Sequence, residues 1–359
     1  MKINKTIVIF FVVLALGIAF IGGAKMLSES KMDALSGATP PALAKKVPQG
    51  ILLTVDGKVK KTYTFNHRSF SKLAKTRIRT AEITPGGNIM GAYTYTGVPV
   101  LYILETVAPL KEKNAVFDRP LDMIVVFTSA SGKTARFSYG ELTMNTDSYP
   151  ITLAYDREPV LPSKEPGKYT KNKYKGKLNG LRLICPREPD SSRFLDNVVR
   201  LTLTVPITPD KHLPLMQKNK KCTSDSISCV EGDKVWSATY KDVPIVKISD
   251  WFRIGHGRGI KGDRLSTVSG FQLPSFLKQN FPAGSPDDFF VFVGCDGYRS
   301  IYSGREIFCS EAGKSIILMK TIDGKAPKGG HTIAATSDFF LDRCVWGLSH
   351  VVRLKGDSL

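Results

Sequence analysis

"YTYTGVPVLYIL", Tyr93 to Leu104, and "STVSGFQLPSFL", Ser266 to Leu277, share one layout. Each sets a small hydroxyl residue and a glycine (Thr96-Gly97, Ser269-Gly270) ahead of an apolar, helix-patterned stretch. After Gly97, Val100, Leu101, Leu104 and Val107 form one helical stripe. Outward from these strings the parallel continues. "VVFTSASGKTARFSYGEL" and "FFVFVGCDGYRSIYSGREI" both read as strand, turn, strand, short helix, with Gly297 lying 165 residues after Gly132 and Glu306 lying 165 after Glu141. "SIILMK" falls over "PITLAY" at the same offset, and "LSHVVRL" follows "LDNVVRL" at 153. The opening pair lies at 173. Offsets that fall in steps are what insertions and deletions leave between two copies of one module. The reading is therefore two modules, at 50–206 and 234–355, joined by a linker at 207–233. Strands interleaved with brief helices predict an α+β fold of mixed sheets.

A chain of 359 residues with 42% hydrophobic and 23% charged residues suits two domains, each with its own core. The formal charge of +19 predicts an acidic partner: an anionic membrane surface, an acidic envelope polymer or protein, or a small anionic ligand. No helix-turn-helix, zinc-finger or RNP-like string accompanies that charge, so nucleic acid is not expected. Lys2 and Lys5 precede Ile7–Ala24, an apolar run without a charge. That pattern predicts export, with residues 1–24 either a cleaved signal or an uncleaved anchor in the cytoplasmic membrane, and residues 25–49 a tether. Six cysteines fit an oxidising, periplasmic or otherwise extracytoplasmic compartment. Cys222 and Cys229, in the polar "KKCTSDSISCVEG", are expected to close a short disulfide loop. Cys185, Cys295, Cys309 and Cys344 are left as thiols or one further bridge.

The strings "LTVDGKVKKTYTF", "YTGVPVLYILETVA", "ITLAYDREPVLP" and "GLRLICPREPDSSRFLDNVVRLTL" make the first module resemble the oxidoreductase molybdopterin-binding domain, the sulfite-oxidase-like family. The second module resembles it at greater distance. The resemblance implies a molybdenum atom held by a pterin dithiolene and one cysteine thiolate, with oxygen-atom transfer as the chemistry. The segment that should carry the cysteine is "RTAEITPGGN", Arg79–Asn88. Thr80, Gly87 and Asn88 match the family pattern, but Ile83 or Thr84 stands where the cysteine belongs. The second module offers "GHGRGIKGDR", again without cysteine, and Asp196 replaces a lysine found near the family's last strand. The sequence itself demands no cofactor, and molybdopterin enters by resemblance alone.

Three places remain as ligand-binding candidates. His256, Arg258 and Lys261 lie in the glycine-rich "GHGRGIKG", whose backbone N–H groups and charges suit an anion. Gly87 and Asn88 lie in the segment above, and Arg187 lies in "LICPREPD". The lysine-rich "SKEPGKYTKNKYKGK", Ser163–Lys177, is a second electrostatic candidate. None of the five histidines lies four residues from another, and HExxH, CxxCH, GxSxG and Walker strings are lacking, so no catalytic or metal-ligating set is assigned. Two functions stand side by side: an exported binding or assembly protein on a sulfite-oxidase-like fold, and a molybdopterin oxidoreductase with atypical ligation.

Overall fold

Runs rich in Val, Ile, Thr, Tyr and Phe, broken by Gly, Asp and Ser, favour pleated backbone. The computed structural model describes residues 49–144, 149–160, 178–217, 222–255 and 264–359. The first half runs β1 (Leu53–Gly57), β2 (Tyr63–Phe65), α1 (His67–Ser71), β3 (Thr76–Ile83), β4 (Ile89–Pro99), α2 (Val100–Val107), β5 (Ile124–Ser129), β6 (Thr134–Ser138), α3 (Tyr139–Thr143), β7 (Thr152–Pro159), β8 (Arg182–Ile184) and β9 (Val198–Thr204). The second half runs β10 (Ser228–Glu231), β11 (Lys234–Ser237), β12 (Ile245–Arg253), β13 (Arg264–Gln272), α4 (Leu273–Asn280), β14 (Phe289–Gly294), β15 (Arg299–Ser303), α5 (Gly304–Cys309), β16 (Ile316–Ile322), β17 (Thr332–Ala335), β18 (Val345–Trp346) and β19 (Leu348–Leu354).

These strands form four sheets, in the orders β2-β1-β9-β5-β6, β3-β4-β7-β8, β11-β10-β19-β14-β15 and β12-β13-β16-β17-β18. The parallel pairing of β1 with β9 recurs between β10 and β19. The α+β expectation is thus corrected. The described chain is mostly β, four sheets in a four-blade, propeller-like arrangement, and its α-helices have only five to eight residues. The apolar stripe after Gly97 is real but short. Pro99 stands at its N-cap, and Ala108, at φ 52°, turns the chain out of the helix. No helix of the described residues is long and apolar enough to cross a membrane. Ile7–Ala24 lies outside the described residues, as do most of the 25–49 tether and the Ser163–Lys177 insertion.

The two glycines of the opening strings lie inside strands, not at helix starts. β4 pairs with β7 across a bulge between Thr96 and Gly97, and β13 pairs with β16 across a bulge between Ser269 and Gly270. A β-carbon on Gly97 would stand 2.4 Å from the Leu153 carbonyl oxygen; on Gly270, 2.3 Å from that of Leu318. Both obstacles are backbone in the middle of a sheet and cannot swing aside. Gly270→Ala is expected to cost about 1–3 kcal/mol through overpacking. Chemical denaturation checks this, and an unchanged midpoint would refute the close approach.

One core fills the first half, from Leu53 and Phe65 through Ile103, Leu104, Phe127 and Phe137 to Leu201. A second gathers Phe276, Leu277, Phe290, Phe292, Tyr302 and Val351. Between them Ile124 of β5 packs with Val230, Phe289, Val291 and Val352, so apolar surface of both halves is buried together.

The cysteine pairing is also corrected. Cys222 bonds Cys295, at the end of β14, with 6.0 Å between Cα atoms. Cys229 is a buried free thiol. Its position explains why: it lies within β10, in the segment read as linker, pairs in register with Trp236 of β11, and is buried in the second apolar core. A strand residue facing the core cannot reach back to the loop before it.

Candidate functional site

Two short helices meet where the halves join. Ser138 caps α3 by accepting from the Glu141 N–H at 3.1 Å, and Ser303 caps α5 by accepting from the Glu306 N–H at 3.0 Å. Each serine then serves the opposite half. Ser138 Oγ donates to Glu306 Oε2 at 3.2 Å, and Ser303 Oγ donates to Glu141 Oε2 at 2.9 Å. Arg193 binds Glu141 and lies 3.9 Å over the Phe137 ring. Arg343 donates to Glu306 at 2.6 Å and lies 4.5 Å over the Tyr302 ring. Arg343 also forks onto Asp338 with two bonds of 2.6 Å, and its own side chain is 1% exposed.

Above this floor lies a cavity of about 180 Å³. Leu101, Tyr102, Leu142, Tyr149 and Ile151 give it apolar walls, and Cys185, Arg187, Glu188, Arg193, Glu141 and Glu306 supply its polar lining. Glu188 accepts from Arg193 Nε at 2.6 Å, and Arg305 Nη1 stands 3.7 Å from its other oxygen. Burial raises the carboxyl of Glu188, against the pull of Arg193. Burial raises Glu306 to about 7, with Arg343 opposing. The Cys185 thiol is pushed well above its ordinary range, first by burial and then by the Glu188 carboxylate, and its sulfur faces the Arg193 carbonyl at 3.9 Å. It is a protonated thiol in a wall.

Of the predicted site residues, Arg187 lines this cavity. Gly87 and Asn88 lie instead in the exposed turn between β3 and β4, closed by Thr84 N–H to the Asn88 carbonyl at 2.9 Å and by Gly87 N–H to the Thr84 carbonyl at 2.8 Å. His256, Arg258 and Lys261 lie outside the described residues. Sequence reasoning missed Glu141, Glu188, Arg193 and Glu306. The signal for two of them was present: "SYGE" and "SGRE" carry the Ser-x-x-Glu capping pattern at one offset.

These residues do not fit a molybdenum centre. The Thr84–Asn88 turn, where the resemblance would place the ligand, offers hydroxyl, amide and backbone groups but no thiolate, and Cys185 lies in a separate segment after β8. Among the described residues, no three His, Cys, Asp or Glu side chains are grouped to hold a metal ion.

No protein-family model and no curated protein matches the chain. Among solved structures, the chain is similar to the sulfane dehydrogenase SoxCD from Paracoccus pantotrophus, with a TM-score of 0.32 and 14% identity over 70% of this chain. It spans 59% of the length of that SoxCD chain.

Proposed function

We propose that this chain is a non-catalytic, extracytoplasmic binding protein whose ligand seat is the cavity beside Cys185 and Glu188. One observation carries the reading. The thiol in the cavity wall is buried and is pushed up by that burial and by a neighbouring carboxylate, the reverse of what an activated nucleophile requires. The remaining charged groups of the floor are paired within each half, Arg193 with Glu141 and Arg343 with Glu306, and serine hydroxyls link the two pairs across the join, which makes the floor a base under an apolar pocket. Export is supported by the charge and apolar pattern of the first residues and by a disulfide between Cys222 and Cys295. The net charge of +19 favours acidic neighbours on the outer surface.

Protein purified from its native envelope is expected to hold no stoichiometric molybdenum and to leave sulfite unoxidised. Elemental analysis showing close to one molybdenum per chain, with a pterin released on denaturation, would overturn the reading.

A further inference from the structure

We propose that the cavity seats a small uncharged, largely apolar molecule, packed against Leu101, Tyr102, Leu142, Tyr149 and Ile151. The proposal rests on the binding reading above and adds the ligand's charge and size to it. The first support is a full account of the floor. Glu141 gives one oxygen to Arg193 and the other to Ser303. Glu306 gives one oxygen to Arg343 and the other to Ser138. Arg193 Nε holds one oxygen of Glu188, and the other oxygen is sealed from water, with the Arg305 guanidinium 3.7 Å away. The Cys185 thiol is buried and faces the Arg193 carbonyl at 3.9 Å. Each of these atoms is partnered or sealed before a ligand arrives.

Charge is the second support. A cation would have to take an oxygen from Arg193 or Arg343. Arg187 is itself engaged within the chain, and an anion drawn to it would enter a lining that also carries three carboxylates. Either ion gives up its water without gaining an unshared partner, which is costly in a buried site. An uncharged molecule avoids that cost and keeps the gain of covering the apolar wall. Size is the third support. A dry apolar cavity of about 150 Å³ is enough for a benzene ring. This one measures about 180 Å³, and Tyr102 and Tyr149, 37% and 50% exposed, carry its wall out to solvent.

The test is calorimetric titration of the full chain at pH 8 with three one-ring probes: benzyl alcohol, protonated benzylamine and benzoate. Benzyl alcohol is expected to bind about tenfold more tightly than either ion, the cost of bringing an unpaired charge out of water. Tyr149→Ala and Tyr102→Ala, both at partly exposed wall positions, should each weaken benzyl alcohol about threefold to tenfold while leaving the denaturation midpoint nearly unchanged. If benzylamine or benzoate binds as tightly as benzyl alcohol and a tyrosine variant weakens it, the cavity binds but one of its charges is open, and the inference is wrong. If benzyl alcohol binds and neither variant weakens it, its seat lies elsewhere and the inference is likewise wrong. If none of the three binds, the inference and the binding reading fall together. The comparison of probes on the unaltered chain decides the question of charge even where a variant fails to fold.

Discussion

Arg343→Met is expected to destabilise the protein by about 3–5 kcal/mol, the typical cost of removing one member of a buried charge network. Methionine fills much of the volume, so the loss reports charge. Glu306 and Asp338 would each lose their cation, and both side chains are nearly inaccessible to water. Burial already raises both carboxyls while Arg343 holds them down. Without it they rise further above their unfolded values. A group raised in this way binds protons more tightly when folded, so its contribution is present at low pH and lost as the pH climbs. The deficit of the variant should therefore be largest at neutral pH and above, and should shrink as the pH falls below about 7 toward the ordinary carboxylate range. Urea denaturation of both proteins at pH 5 and pH 8 checks this. Equal deficits at the two values would mean that Arg343 acts by packing alone.

Loss of the Cys222–Cys295 bond is expected to cost about 4 kcal/mol, because it closes a loop with a sequence separation of 73. The effect should concentrate in the second half, where the bond ties the connecting segment to the turn after β14. That segment also anchors itself through Leu213 in the apolar layer between the halves and through Asp210, which accepts from Arg299 at 2.9 Å. Cys222→Ser and Cys295→Ser should give equal losses, and their double variant no more than either alone. Cys229→Ser should act differently, since it places a hydroxyl in a strand core without opening any loop. Peptide mapping without reductant that recovers Cys222 and Cys295 as free thiols would contradict this pairing.

How much was legible in the sequence depended on range. Turn and cap chemistry is local, so the turns at Gly132 and Gly297 and the serine-to-glutamate spacing could be read directly. What those glutamates do could not, because Ser138 and Glu306 meet only through the tertiary fold. The same limit explains the cysteines. Short spacing made Cys222 and Cys229 look like partners, while the alternation of Ile227 and Cys229 toward the core was the overlooked signal. The α+β expectation weighted the apolar stripe after Gly97 as a helix of consequence. Gly97 instead belongs to an eleven-residue strand, and the helix beyond Pro99 is two turns long. Of the ligand-binding candidates in the described residues, Arg187 reaches the cavity because it follows the β8 end beside Cys185, and the Gly87-Asn88 pair reads in retrospect as plain turn chemistry.

The crossed serine contacts bear on how such a chain can change over time. Ser138 and Ser303 each finish a helix in their own half and satisfy an acid in the other. A substitution at either serine is therefore felt twice, once on each side of the join. Neither half can be expressed alone without removing the hydroxyl donor that its neighbour gave to Glu141 or Glu306, although Arg193 and Arg343 remain on those carboxylates. Separate halves mixed in solution should recover structure only together, and a change on one side of the join is expected to call for a matching change on the other.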